Sequence, residues 1–301
     1  MNARLIALDW GTSSFRAWLL GDGGDILEEI PSGPGIMAIA AGEFGTAFAS
    51  LISPWLARWP ELPVIASGMI TSRNGWVETP YLPLPLDAKG LANSLTRHVL
   101  PDGTAIHFTG GAVKNPDHGM PDVMRGEEVE IFGHLAGNDR ADGMFILPGT
   151  HNKWVRVTNG VMSDFQTCMT GEIFALLCKD SILGRLATDG PADPGAFRRG
   201  VETGLAEGSL MSRLFSARSL ALMGRLEGDD IKDYLSGLLI GDELSAQFPL
   251  PEAPVTIIGR GDLAGRYADA IAQIGGKAEV APPGMARAGL WKIAKLAGMV
   301  K

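Results

Sequence analysis

Leu5-Ile6-Ala7-Leu8-Asp9-Trp10-Gly11-Thr12-Ser13-Ser14-Phe15-Arg16-Ala17-Trp18-Leu19-Leu20 is the stretch that decides the fold class. The apolar run before Asp9 reads as a buried strand, Gly11 to Ser14 as a tight turn, and Phe15 onward as a returning strand. Gly21-Asp22-Gly23-Gly24 turns the chain again before Asp25-Ile26-Leu27-Glu28. The chain therefore opens strand to strand, as an antiparallel meander, and not strand to helix.

Working outward, the same order recurs about 140 residues later. Met144-Phe145-Ile146-Leu147 reads as a strand, Pro148-Gly149-Thr150-His151-Asn152 as a turn and Lys153-Trp154-Val155-Arg156-Val157 as the next strand. Asn159-Gly160 is a hairpin signal before Val161-Met162. Two weakly similar copies of one architecture predict two lobes facing a cleft, residues 1–138 and 139–301. Helical spacing predicts helices over residues 42–59, 91–100, 123–136, 197–215 and 231–247, with another up to residue 274 and a last one after Pro283. Short strands are expected at residues 63–69, 105–110, 255–258 and 277–280. The fold class is α/β.

With 301 residues the chain has room for two medium cores. Hydrophobic residues at 46% and charged residues at 20% are ordinary for a well-packed globular protein. The net charge of -8 and the lack of any long Lys/Arg run disfavour nucleic acid as a partner. Cys168 and Cys178, the 2 cysteines, match no zinc or disulfide spacing, so both are expected as reduced, packed thiols. The apolar run before Asp9 is too short for a secretory leader, and no stretch of about 20 apolar residues follows. A cytoplasmic protein with no membrane partner is expected. A monomer and a homodimer are both open expectations.

Five constellations carry chemistry. Asp9, at the end of a buried strand, precedes Gly11-Thr12-Ser13-Ser14 and Arg16. Such a turn offers N–H groups and hydroxyls to phosphate oxygens, and the carboxylate can hold Mg²⁺ through water. Alone, it would read equally as a plain hairpin. Gly149, Thr150 and Lys153 form the matching turn of the second copy, and two such hairpins could hold a phosphate chain from two sides. His151 is more simply a polar loop residue. Gly259-Arg260-Gly261-Asp262 follows a strand and opens a helix. It nearly matches the dinucleotide fingerprint, with Glu279 about twenty residues on, but too little chain follows for a third strand. It serves equally as an adenosine or phosphate seat.

Arg125-Gly126-Glu127-Glu128 begins a helix, where neighbouring side chains lie about 100° apart, so only one of Glu127 and Glu128 can face a given point. A carboxylate at a helix N-terminus stays ionised and can accept a hydroxyl proton. The loop with Gly68, Met69, Arg73, Asn74, Trp76 and Tyr81 offers an Arg for a carboxylate, an amide for hydroxyls and an aromatic face for a sugar-like ring. No Walker A, HExxH or GxSxG sequence is present.

Residues 6–18 resemble the opening of 2-dehydro-3-deoxygalactonokinases, a family of the sugar kinase/actin/heat-shock ATPase superfamily. Ala66-Ser67-Gly68-Met69 with Gly75-Trp76 and Pro80-Tyr81, and Val123-Met124-Arg125-Gly126-Glu127-Glu128, are similar to the same family. So are Pro148 to Val155 with Met169-Thr170-Gly171-Glu172, and Tyr234 to Gly241. The resemblance runs from about residue 4 to 290. It implies two ribonuclease-H-like lobes of the actin/hexokinase type, ATP and Mg²⁺ as cofactors, and phosphorylation of the 6-hydroxyl of 2-dehydro-3-deoxy-D-galactonate in galactonate catabolism. It further implies Asp9 and Gly11 to Ser14 as the first phosphate motif, Gly149-Thr150 as the second and Gly259 to Asp262 as the adenosine motif. The superfamily's catalytic acid falls at Glu127, with Glu128 close behind, and Arg73 or Arg125 is expected on the substrate carboxylate. Another 2-keto-3-deoxy sugar acid as acceptor, and a phosphohydrolase of the exopolyphosphatase type, stay open.

Overall fold

A computed structural model describes residues 2–137, 142–247, 249–259 and 261–301. Its contacts divide the chain into two compact units. The first holds residues 1–142, 155–165 and 282–301, and the second residues 143–154 and 166–281. The closing segment after residue 281 thus groups with the first unit.

The opening meander forms as its pattern predicts: β1 (Leu5–Trp10), β2 (Ser14–Leu20) and β3 (Ile26–Pro34) pair antiparallel, with Asp9 opposite Arg16. Next come α1 (Phe44–Arg58), β4 (Val64–Ser67), β5 (Tyr81–Pro83), α2 (Ala88–Asn93), β6 (Thr96–Val99) and β7 (Ala105–Phe108). The main sheet runs β3-β2-β1-β4-β7-β6, with β4 parallel to both β1 and β7. β1 is buried on both faces, as a central strand between parallel and antiparallel neighbours must be. Ile6, Leu8 and Trp10 pack with Phe48, Ile52 and Trp55 of α1 in one apolar cluster. β8 (Gly111–Lys114) and β9 (Asp122–Met124) join β5 in a small sheet of order β5-β8-β9, and α3 (Glu127–Ala136) follows.

Two sequence expectations fail here for physical reasons. Residues 91–100 are not one helix: α2 stops at Asn93, and Thr96 to Val99 pair antiparallel with β7 as an edge strand. β-branched Thr96 and Val99 suit that pairing better than a helix. The helix expected from residue 123 starts instead at Glu127, because Val123 pairs with β8 and Gly126 has φ of 108°. Only glycine adopts that backbone without strain, and it cannot continue a right-handed helix.

In the second copy, β10 (Gly143–Leu147), β11 (Asn152–Thr158) and β12 (Val161–Cys168) lie side by side. α4 (Thr170–Asp180) is a helix the periodicity does not reveal. The helix expected over residues 197–215 is broken into α5 (Pro194–Leu205) and α6 (Leu210–Leu214), with Gly208 at φ 104° in the break, and α7 (Ser216–Leu222) follows. Asp193 caps α5 by accepting from Gly195 N–H, with Pro194 in the first turn. α8 (Ile231–Ser245), β13 (Val255–Ile257), α9 (Gly261–Gln273), β14 (Ala278–Val280) and α10 (Met285–Leu296) complete the chain. The second sheet runs β12-β11-β10-β13-β14, with β13 parallel to β10 and β14. In both sheets the first strand of the meander is central, its hairpin partners lie to one side, and the strand next to it on the other side runs parallel to it. The expected recurrence is therefore a recurrence of topology.

α5 and α8 pack through glycines. Cβ atoms at Gly200, Gly204, Gly237 and Gly241 would lie between 2.1 and 2.3 Å from backbone oxygens of the facing helix. Contact that close leaves no room for a methyl group. Gly237→Ala is expected to destabilise the protein by about 2 kcal/mol or more in urea unfolding. Gly265→Ala in α9, where a Cβ meets nothing within 4 Å, is expected to stabilise by roughly 0.5–1 kcal/mol. Equal effects at the two positions would refute glycine-mediated packing.

Candidate active site

In the first unit three chain segments meet where β1 ends. Asp9 closes β1, Gly68 follows β4, and Gly126 precedes α3. A Cβ on Gly68, whose φ is 93°, would lie 3.2 Å from Asp9 Oδ1 and 2.8 Å from Trp10 O. A Cβ on Gly126 would lie 3.2 Å from the Gly68 Cα. Small residues at both positions bring the N-terminus of α3, with Glu127, Glu128 and Glu130, up to Asp9.

Asp9 is half-buried, and its Oδ2 accepts from Arg16 Nη2 at 2.5 Å and Nε at 3.2 Å. Cross-strand register explains the pair, since Arg16 stands directly opposite Asp9. Arg16 also comes within 4.0 Å of Glu130 Oε1. Burial, then the charges of Asp9, Glu127 and Glu128, push Glu130 up to about 8 against the pull of Arg16. Glu130 was not singled out by sequence reasoning. The available signal was its spacing, because residue i+3 shares a helix face with Glu127.

The turn between β1 and β2 is held from below. Gly11 N–H donates to Ser14 O at 2.9 Å, while Ile36 and Met37 N–H donate to the carbonyls of Gly11 and Thr12. The side chains of Thr12, Ser13 and Ser14 are exposed.

Glu127 and Glu128 have different surroundings. Glu127 is half-buried and accepts the Arg125 N–H at 3.0 Å. Glu128 is fully buried, and both its oxygens lie 2.9 Å from Gly126 N. Burial and then the neighbouring charge of Glu127 raise Glu128 to about 8, against the Gly126 hydrogen bond and Arg125. A raised carboxyl stays protonated in the folded chain where the unfolded chain has already ionised. Its contribution to stability is therefore full below about 4.5 and is lost as pH rises through about 8. Removing that cost with Glu128→Gln should make the melting temperature of the variant gain about 5 °C on the wild type between pH 5 and pH 9. A difference independent of pH would show that Glu128 ionises freely.

The loop residues divide. Arg73 and Asn74 are exposed, Met69 is half-buried, and Tyr81 is exposed. Arg125 is buried: Nη1 donates to Thr71 O, Thr71 Oγ1 and Thr79 Oγ1, Nη2 donates to Thr79 O, and the guanidinium lies 4.2 Å from the Tyr81 ring centroid. Its terminal nitrogens pin the loop, so the expectation that they reach a ligand carboxylate gives way to a bracing role. Trp76 likewise departs from the expected ring platform. Half-buried, it stacks on Phe44 and packs with Phe48, Phe108 and His98 against the edge of the apolar cluster.

The second unit carries the other hairpin. Gly149 N–H donates to Asn152 Oδ1 at 2.7 Å, and Thr150 O accepts from Glu172 N–H at the start of α4. A Cβ on Gly171 would lie 2.0 Å from Gly149 O, so α4 seats directly on the turn. His151 meets Glu172 at 2.5 Å. Lys153, expected on phosphate, is buried and donates to Thr167 Oγ1 at 2.7 Å. Its ammonium is therefore held within the sheet. Gly259 ends the β13 turn, Gly261 and Asp262 lie exposed at the N-terminus of α9, and Arg260 lies outside the described residues. Beneath the hairpin, Glu243 of α8 collects Trp154, Asn152, Tyr267 and Thr170. Burial pushes Glu243 up while those four bonds pull it down, and burial likewise raises Tyr267.

Among the described residues no group of three or more His, Cys, Asp or Glu is placed to hold a metal ion. Mg²⁺ is commonly held by one or two carboxylates with phosphate oxygens and water, and Asp9, half-buried at the end of β1, is of that donor type. No helix among the described residues is long and apolar enough to cross a membrane.

The mixed α/β fold is that of sugar kinase-like proteins. A solved structure assigned as an N-acetylglucosamine kinase from Porphyromonas gingivalis aligns over 96% of this chain and 98% of its own, at 14% identity and a TM-score of 0.52. The chain itself belongs to the 2-keto-3-deoxy-galactonokinase family, whose profile matches residues 9–293. The 2-dehydro-3-deoxygalactonokinase of Escherichia coli K12 is 32% identical over 277 residues, 91% of each chain. A solved structure assigned as a 2-dehydro-3-deoxygalactonokinase protein from Sinorhizobium meliloti is 30% identical. It covers 97% of this chain and 96% of its own, with a TM-score of 0.85.

Proposed function

We propose that this chain transfers the γ-phosphoryl group of ATP to the 6-hydroxyl of 2-dehydro-3-deoxy-D-galactonate, giving the 6-phosphate and ADP in galactonate catabolism. Family membership supports the reaction. The observation that carries the site is the meeting of Asp9, Gly68 and Gly126, which sets the α3 carboxylates beside a glycine–hydroxyl hairpin.

The arrangement proposed is two ribonuclease-H-like lobes, each sheet led by one hairpin. Thr12, Ser13 and Ser14 contact phosphate from the first hairpin and Thr150 from the second, while Gly261 and Asp262 seat the adenosine end. Gly149 shapes the second hairpin, since its N–H is already given to Asn152. Bound Mg²⁺ would neutralise phosphate oxygens, with Asp9 holding it through water and Arg16 holding Asp9. Arg73 pairs with the substrate carboxylate, Asn74 contacts its hydroxyls, and Met69 and Tyr81 line the approach. Glu127 accepts the proton of the 6-hydroxyl as its oxygen bonds to the γ-phosphorus and the bond to the ADP oxygen breaks.

Phosphorus NMR of the product tests the regiochemistry. A monoester signal split by the two protons of the terminal CH₂ is expected. A doublet from a ring or chain CH would contradict phosphorylation at that hydroxyl.

A further inference from the structure

Glu243 is an acid of α8, 5% exposed, and unlike the other buried acid of that helix, Asp233, which pairs with Arg266, it is met by four neutral side chains. Trp154 Nε1 donates to its Oε1 at 2.6 Å. Asn152 Nδ2 donates to its Oε2 at 2.9 Å, and Tyr267 O–H does so at 2.8 Å. Thr170 Oγ1, from the first residue of α4, reaches the same Oε2. One carboxylate thereby joins β11, α4, α8 and α9.

The bonds have a directional consequence. Asn152 and Trp154 offer N–H groups that can only donate. Glu243 therefore forces the Asn152 amide to point Nδ2 inward, which leaves Oδ1 facing Gly149 N–H at 2.7 Å. That bond closes the turn of residues 149–152. Tyr267, meanwhile, belongs to the helix that Gly261 and Asp262 begin. A single buried group thus fixes both the shape of the hairpin and its tie to α9.

We propose that Glu243 is a positioning residue for nucleotide: acting through Asn152 and Tyr267, it presets the second hairpin, which meets phosphate, and the start of α9, which seats the adenosine end, as one nucleotide-receiving surface. The proposal rests on the reading of the second unit as the nucleotide-binding one. It assigns no contact between Glu243 and nucleotide.

The test is Glu243→Gln, which keeps size and hydrogen-bonding capacity but turns an NH₂ toward either Trp154 or Asn152, both donors. A buried clash of donors is costly, and turning the Asn152 amide to relieve it opens the bond to Gly149. ADP affinity by calorimetry is expected to weaken about tenfold, and the KM for MgATP to rise by about the same factor. The KM for the sugar acid should stay within about twofold. Tyr267→Phe keeps the ring and removes two bonds, the one its hydroxyl donates to Glu243 and the one it accepts from Asn152 Nδ2, so a smaller loss of ADP affinity, about threefold, is expected. If Glu243→Gln does not fold, Tyr267→Phe decides alone.

ADP affinity held within about twofold in the folded variants overturns the proposal, even if their melting temperatures fall. So does an equal rise of both KM values, which would indicate general loosening. Failure of the function itself is seen separately, in wild-type protein that binds ADP yet forms no sugar-acid phosphate. Wild-type protein that binds no ADP would overturn both.

Discussion

Glu127→Gln is expected to lower kcat by about 10³-fold with both KM values within about threefold, the signature of a group used in the transition state and not in binding. The substitution keeps the shape and one acceptor oxygen but abolishes the ability to take a proton. Glu127 is preferred over Glu128 on geometry. Glu128 is fully enclosed, both its oxygens are turned to Gly126 N–H, and it holds a proton up to about 8. A group already protonated at neutral pH is a poor acceptor for another proton. If Glu128→Gln loses turnover and Glu127→Gln keeps it, the roles are exchanged. Full activity in both variants would remove α3 from the chemistry.

Asp9→Asn is expected to cost between about 10² and 10³ in kcat/KM for MgATP. Two losses combine: the carboxylate proposed to hold Mg²⁺ through water, and the anion that fixes Arg16 at 2.5 Å. The same substitution makes a second, independent prediction. Asp9 is the largest charge raising Glu130, after burial, so Glu130 should titrate lower in the variant. Carboxyl carbon NMR against pH reads that shift directly. An unmoved Glu130 together with unimpaired turnover would show that Asp9 and the start of α3 do not form one electrostatic unit.

The elements legible in the sequence are those where local pattern and tertiary environment agree. The meander of residues 5–34 is one, since its apolar runs and glycine turns point the same way and nothing in the fold overrides them. The recurrence at residues 143–168 was legible as an order of elements, although identity between the copies is weak. Residues 96–99 were misread because an edge strand paired to β7 is a tertiary fact that helical spacing cannot report. The late start of α3 was in principle visible at Gly126, whose positive φ is a glycine's property, but neighbouring residues do not announce it.

For the site, the loci were readable and the assignments less so. Arg125 and Trp76 looked like ligand groups because residue type says nothing about direction, and each is instead consumed by protein partners. Lys153 is the same case in the second unit. Glu243 was passed over, although Leu235, Leu239 and Glu243 fall at successive steps of four along α8. An acid on that apolar stripe demands buried partners, and the four it finds come from residues up to 91 positions away.

One measurement bears most directly on the central claim: ADP release from MgATP, followed without acceptor and then with 2-dehydro-3-deoxy-D-galactonate or its gluconate-derived epimer. For a 2-dehydro-3-deoxygalactonokinase, release depends on the galactonate-derived acid and falls away with the epimer. Release without any acceptor, or no release with the galactonate-derived acid, would contradict the proposed reaction.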